Sequence, residues 1–213
     1  VNKILRIAAL LALTAAASSQ ASARNFCGDL KNGYGPFDYR HRAELAGNFE
    51  LVESAHFTED VQNGLKGNSS SVGGDLDYTL RAIPNHHRGL TTLANIALRD
   101  HAIQVGGMHW PVECYFDRAL RFTPDDADVY AIYGSYMYSL GKIDRAVSLF
   151  KQGEERDADN ATINYNLGLV YLKQGDYAQA RAHAKKAYAH GFPLAGLKNK
   201  LAQAGQWEQD KPE

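Results

Sequence analysis

Cysteine is nearly missing from this chain of 213 residues: Cys27 and Cys114 are the only two. Neither lies in a C-x-x-C or C-x-x-C-H arrangement, so thiol exchange and c-type haem attachment have no support. Excess charge is missing as well, with 23 Lys and Arg against 24 Asp and Glu and a formal net charge of −1. Nucleic-acid and membrane-surface binders need a basic excess, so neither partner class is expected. The sequence contains no G-x-S-x-G turn, no G-x-x-x-x-G-K-[ST] phosphate loop and no H-E-x-x-H or H-x-x-x-H pair. Asp125-Asp126 and Glu154-Glu155 sit where helix ends or solvated faces are expected. No catalytic residue, metal ligand or cofactor is assigned, and the chain is read as a non-enzyme.

Long apolar runs are confined to the start. Residues 1–23 combine Lys3 and Arg6, the run "IAALLALTAAA" and the small-x-small end Ala21-Ser22-Ala23. That is the form of a secretory signal peptide cleaved before Arg24. The run is roughly half the ~20 residues that span a bilayer, so no integral membrane segment is expected in the mature chain. Val1 in place of an initiator Met suggests an alternative bacterial start codon, hence a periplasmic product. In an oxidising compartment Cys27 and Cys114 are expected to pair as a disulfide, against the alternative of two buried thiols.

The second half repeats. Residues 127–160 laid over 161–194 bring Gly134 onto Gly168, Gly141 onto Gly175 and Ala146 onto Ala180, an offset of 34 throughout. The small residues predict close helix pairs, and Gly141 and Gly175 predict the turns between them. Tyr133, Met137, Leu149 and Phe150, then Leu167, Tyr171 and Ala184, are the expected fillers. This pattern resembles tetratricopeptide repeat (TPR) proteins. The resemblance implies a mainly α chain: a TPR helical-hairpin solenoid with a small irregular N-terminal segment. It extends weakly to an atypical first repeat at 84–126, with helices over Pro84–Asp100 and "ECYFDRALRFTPDD" separated by a loop about nine residues longer than the family norm. Leu197 and Leu201 suggest a capping helix within 195–213. In residues 24–83, rich in Gly, Asn and Ser, a strand is expected at Phe49–His56 and a short helix capped by Thr58. The runs "GPFDYR", "AHFTEDV" and "DLDYTLRAIPNHHR" resemble secreted proteobacterial TPR proteins without an assigned activity.

Six of the eight histidines, His41, His56, His86, His87, His101 and His109, fall in the atypical half. With Pro84 opening the first repeat, His87 is expected to pack and His86 to face out. Arg81, Arg88, Asp75 and Asp77 would form a polar seam docking the N-terminal segment. The alternative is a small metal-binding protein or enzyme with a His-rich site between that segment and the first repeat. The favoured reading is a periplasmic adaptor that holds a protein or peptide partner in a concave groove. The resemblance implies floor residues Arg88, Thr92 and Asn95, then Asp128, Ala131, Ser135 and Tyr138, then Thr162, Tyr165, Asn166, Leu169 and Lys173. Ile132 and Thr162 replace two residues of the clamp some TPR domains use for chaperone tails, which argues against that ligand.

Overall fold

The computed structural model describes residues 26–207; the expected signal peptide and its cleavage point before Arg24 lie outside the described residues. Among these residues there are ten α-helices, one 3₁₀ turn at Tyr39–His41 and no strand. The helices are α1 Ala46–His56, α2 Glu59–Gln62, α3 Val72–Ala82, α4 His87–Asp100, α5 Val112–Phe122, α6 Ala127–Ser139, α7 Ile143–Glu154, α8 Ala161–Gln174, α9 Tyr177–Ala189 and α10 Gly196–Gln203.

The last two hairpins follow the predicted rules. Gly141 and Gly175 adopt φ of 74° and 79°, the left-handed region that ends α6 and α8 without a Cβ clash. Asn160 and Asp176 cap α8 and α9 by accepting from the backbone N–H of Ile163 and Gln179. A Cβ on Gly134 would run into the Phe150 ring, and one on Gly168 into Leu197. These glycines therefore set how near neighbouring helices come. Ala146, Leu149, Phe150 and Met137 are fully buried between them, each large side chain worth about 1.5–3 kcal/mol of burial. Within each hairpin the second helix packs back on the first, and α4, α6, α8 and α10 stack side by side. The expected cap is α10, whose Leu197 and Leu201 close a third apolar cluster with Ala180 and Ala184.

The N-terminal segment departs from expectation. Residues 49–56 belong to helix α1, not to a strand. Phe49 and Val52 are buried one helical turn apart, whereas Leu51, which a strand would place beside Phe49, is 60% exposed. Thr58 does precede α2, with Glu59 and Asp60 in its first turn, but its side chain makes no capping hydrogen bond. Residues 26–83 therefore hold three α-helices and a small cluster in which Phe49 and Val52 meet Ala82 and Ile83. Cys27 and Cys114 are joined by a disulfide, with Cα atoms 5.0 Å apart. Beside it, Arg118 Nη1 donates to the carbonyls of Cys27 and Asp29, and Arg121 to that of Gly28. The segment is thus pinned to α5 both covalently and through its backbone.

The first repeat begins later than expected. Helix α4 opens at His87, and Pro84 lies in a buried turn ahead of it. The cap is His86, fully buried, while His87 is only half-buried, the reverse of the expected roles. Asn85 serves Tyr39 rather than α4, accepting from its N–H at 2.9 Å.

Candidate functional site

Helices α4 and α6 leave a groove between them. Thr91, Ala94, Asn95 and Leu98 face Ile132, Ser135 and Tyr136, with Thr162 of α8 at one end, around a volume of about 290 Å³. Leu98, Tyr136 and Ser139 also line a larger cavity of about 830 Å³. This second space lies under the inserted loop, between Ile103 and Pro111 on one side and Leu140 on the other. The inserted loop walls it: α4 stops at Asp100 and α5 starts only at Val112, and in place of the short turn of the later hairpins this longer loop contributes Ile103 and Pro111. At its mouth Lys142 Nζ pairs with Glu113 at 2.8 Å, and Tyr133 donates to the other Glu113 oxygen at 2.9 Å. Burial pulls the Glu113 carboxyl up, but bonds from Lys142 and Tyr133 hold it below its usual value. Burial pushes the Tyr133 hydroxyl up.

Of the expected floor residues, Asn95, Ser135 and Thr162 line the groove. Asn166 joins them, donating to Ser135 Oγ at 3.2 Å. Arg88 and Thr92 do not face it. Thr92 is buried and donates to the Gln62 carbonyl, and Arg88 reaches the Gln62 side chain and lies over Phe57. The reason is register: a start three residues later turns the helix by about 60° and sends this stripe toward the N-terminal segment. Thr91 and Leu98 take the floor positions instead, which aligning α4 with α6 from His87 would have revealed. Asp128, exposed, accepts from Asn160 at the groove end. Tyr138 is half-buried against the main core. Tyr165 stacks on Phe192 with centroids 4.0 Å apart, in the cluster under the cap. Ala131 is buried, Leu169 belongs to that same cluster, and Lys173 is exposed.

The histidines do not converge. His56 bonds Asp75, His86 bonds Glu53, His87 bonds Asp126 and His109 bonds Asp77, each at 2.8–3.1 Å, while His41 and His101 are exposed. Asp77 is buried and also receives Tyr115, Arg81 and the His109 N–H. Burial pulls its carboxyl up, but Tyr115 and Arg81 hold it low. Asp75 is held low in the same way, against burial, by His56 and the N–H groups of residues 68–70. His87, Asp126 and Asp128 approach one another, but Asp126 is the N-cap of α6 and already takes Asn85 Nδ2 and the Asp128 N–H. The polar seam between the N-terminal segment and the repeats is formed by His86–Glu53 and His109–Asp77, whereas His56–Asp75 lies within the segment and His87–Asp126 within the first repeat. Arg40 completes it, bridging Asp38 to Asp125.

Residues 134–194 match the family model described as Tetratricopeptide repeat, which takes in most of the second repeat and all of the third. No curated protein matches the chain. No helix among the described residues is long and apolar enough to cross a membrane.

Proposed function

We propose that this chain is an exported, non-catalytic helical-repeat adaptor that holds a protein or peptide partner in the groove between α4 and α6. The observation that carries this reading is the groove itself. Its floor alternates small and apolar side chains (Ala94, Leu98, Ile132) with neutral hydrogen-bonding ones (Thr91, Asn95, Ser135), and it adjoins the larger cavity beside the inserted loop, with which it shares Leu98, Tyr136 and Ser139. A floor without charge suits an uncharged stretch of polypeptide, which can bury apolar side chains while amide and hydroxyl groups meet its backbone. The disulfide supports an oxidising compartment and therefore the periplasmic location.

Asn95→Arg and Ser135→Arg test the reading, because each drives a charge and extra bulk into the floor. Protein captured by the wild-type chain from a periplasmic extract is identified, and its affinity for each variant is measured. Both variants are expected to lose about tenfold or more, equivalent to at least ~1.4 kcal/mol, with an unchanged helical circular dichroism spectrum. Wild-type affinity in both would exclude this groove as the binding site.

A further inference from the structure

His86 serves two elements at once. It is fully buried at the start of α4, where its Nδ1 accepts the backbone N–H of Gly89 at 2.9 Å. Its Nε2 lies 2.9 Å from Oε1 of Glu53 on α1. The first contact fixes the tautomer. A ring nitrogen that accepts an N–H keeps its lone pair, so the proton sits on Nε2 and is donated to Glu53. Both nitrogens are committed. Among the described residues, His86 is the only histidine whose ring accepts a backbone N–H.

We propose that His86 is an acid-operated latch between α1 and α4: a proton added to Nδ1 expels the Gly89 N–H, uncaps α4 and loosens its first turn from the N-terminal segment. The proton comes from solvent and takes the Nδ1 lone pair; the hydrogen bond to Gly89 is the only bond that must break.

The surroundings oppose that proton on nearly every side. Tyr39 of the 3₁₀ turn lies with its ring centroid 4.4 Å away, and Phe57, which follows α1, at 4.6 Å. An imidazolium there would sit at the positive end of the α4 dipole. Arg88, on α4, adds a second positive charge. Arg42, from the turn before α1, already shares the Glu53 carboxylate. Among the charged groups around the ring, Glu53 alone favours the cation. Burial prevails over Glu53 and pulls the His86 pKa below its ordinary value. Burial also raises the Glu53 carboxyl, but His86 and Arg42 bring it down to about 2, so it stays ionised through mildly acidic pH.

The sign follows from linkage. The uncapped ring titrates near the ordinary histidine value of about 6.5, and the capped ring titrates lower. The latch is therefore intact above that value and weakens as pH falls below it. The open population grows about tenfold per pH unit until the folded-state pKa is reached. Helix α4 also walls the groove, so partner affinity should follow the same proton, a consequence that rests on the groove reading above.

Hydrogen exchange of the full chain, disulfide intact, from pH 7.5 to pH 5 tests the latch. The molecule carries its own control: the Ile163 N–H is capped by Asn160, which does not titrate. After correction for intrinsic exchange, Gly89 protection should fall about tenfold per unit below pH 6.5, while Ile163 protection holds. His86→Asn supplies a cap that cannot be protonated and should flatten the Gly89 response. If that variant does not fold, the wild-type comparison of the two amides decides alone. Parallel behaviour of Gly89 and Ile163, or a His86 ring that titrates while Gly89 stays protected, overturns the proposal. A latch that opens on schedule while partner affinity stays constant removes the groove reading and leaves the latch standing.

Discussion

Arg118 is only 1% exposed, yet its guanidinium meets carbonyl oxygens of Cys27 and Asp29 and the face of Trp110 at 4.4 Å. Its Nε has no hydrogen-bond partner among the described residues. Burial, with the repulsion of nearby Arg121, pulls its pKa below the usual arginine value. Such a residue is expensive to bury and more expensive to remove, because the carbonyls it serves lose their donor. Arg118→Ala should lower the unfolding free energy in urea by about 2–4 kcal/mol. Arg118→Met, which keeps the apolar stem packed on Trp110, should lose less. Equal losses would mean the side chain acts through charge alone. Nothing in the sequence marks Arg118 as buried: its partners are backbone atoms 91 and 89 residues away, and carbonyls leave no trace in a residue string.

At the scale of the element, two glycines do different work and should fail differently. Gly134 has no room for a Cβ because Phe150 occupies the space; Gly141 has open space around it but a φ of 74°. Gly134→Val should therefore cost about 1–3 kcal/mol by overpacking, and Gly141→Ala about 1–2 kcal/mol by backbone strain alone. Thermal unfolding followed at 222 nm ranks the two, and a milder loss in Gly134→Val would contradict the packing argument. The repeats were legible because of such positions: small residues recur at the offset of 34 wherever two helices must touch, and the sequence has to keep them. The atypical half offered no second copy to align. There a strand is expected at Phe49–His56, and the burial of Phe49 and Val52 with Leu51 exposed shows that the helical period governs. Pro84, a plausible helix start in sequence, belongs to the preceding turn, which directs Arg88 and Thr92 toward the N-terminal segment and exchanges the roles expected of His86 and His87. Of the expected floor, Asn95, Ser135 and Thr162 line the space between α4 and α6, and the adjoining cavity has no signature in the sequence.

On the scale of the molecule, one apolar core runs from Phe57 to Leu167, flanked by a small cluster at each end. The N-terminal cluster is small, and its segment is also held by the disulfide, the Arg118 and Arg121 contacts and the polar seam. Replacing both cysteines by serine should cost up to about 4–5 kcal/mol, the loop-closure value for a separation of this size. Denaturant unfolding of the double variant, beside wild type with and without reductant, measures it. An unchanged midpoint would show that the arginines and the seam hold the segment unaided. The same bridge also sets an order of events. Cys27 and Cys114 are 87 residues apart, and a chain that enters an oxidising space from its N-terminus delivers the first thiol long before the second. During that interval Cys27 has no partner in its own chain and is open to any small thiol or oxidoreductase present. The α4–α5 hairpin is complete only when α5 arrives, bringing Cys114 with it. In such a chain the N-terminal segment is fixed covalently only once α5 is in place, so the redox state of Cys27 during that delay decides when the bridge can close.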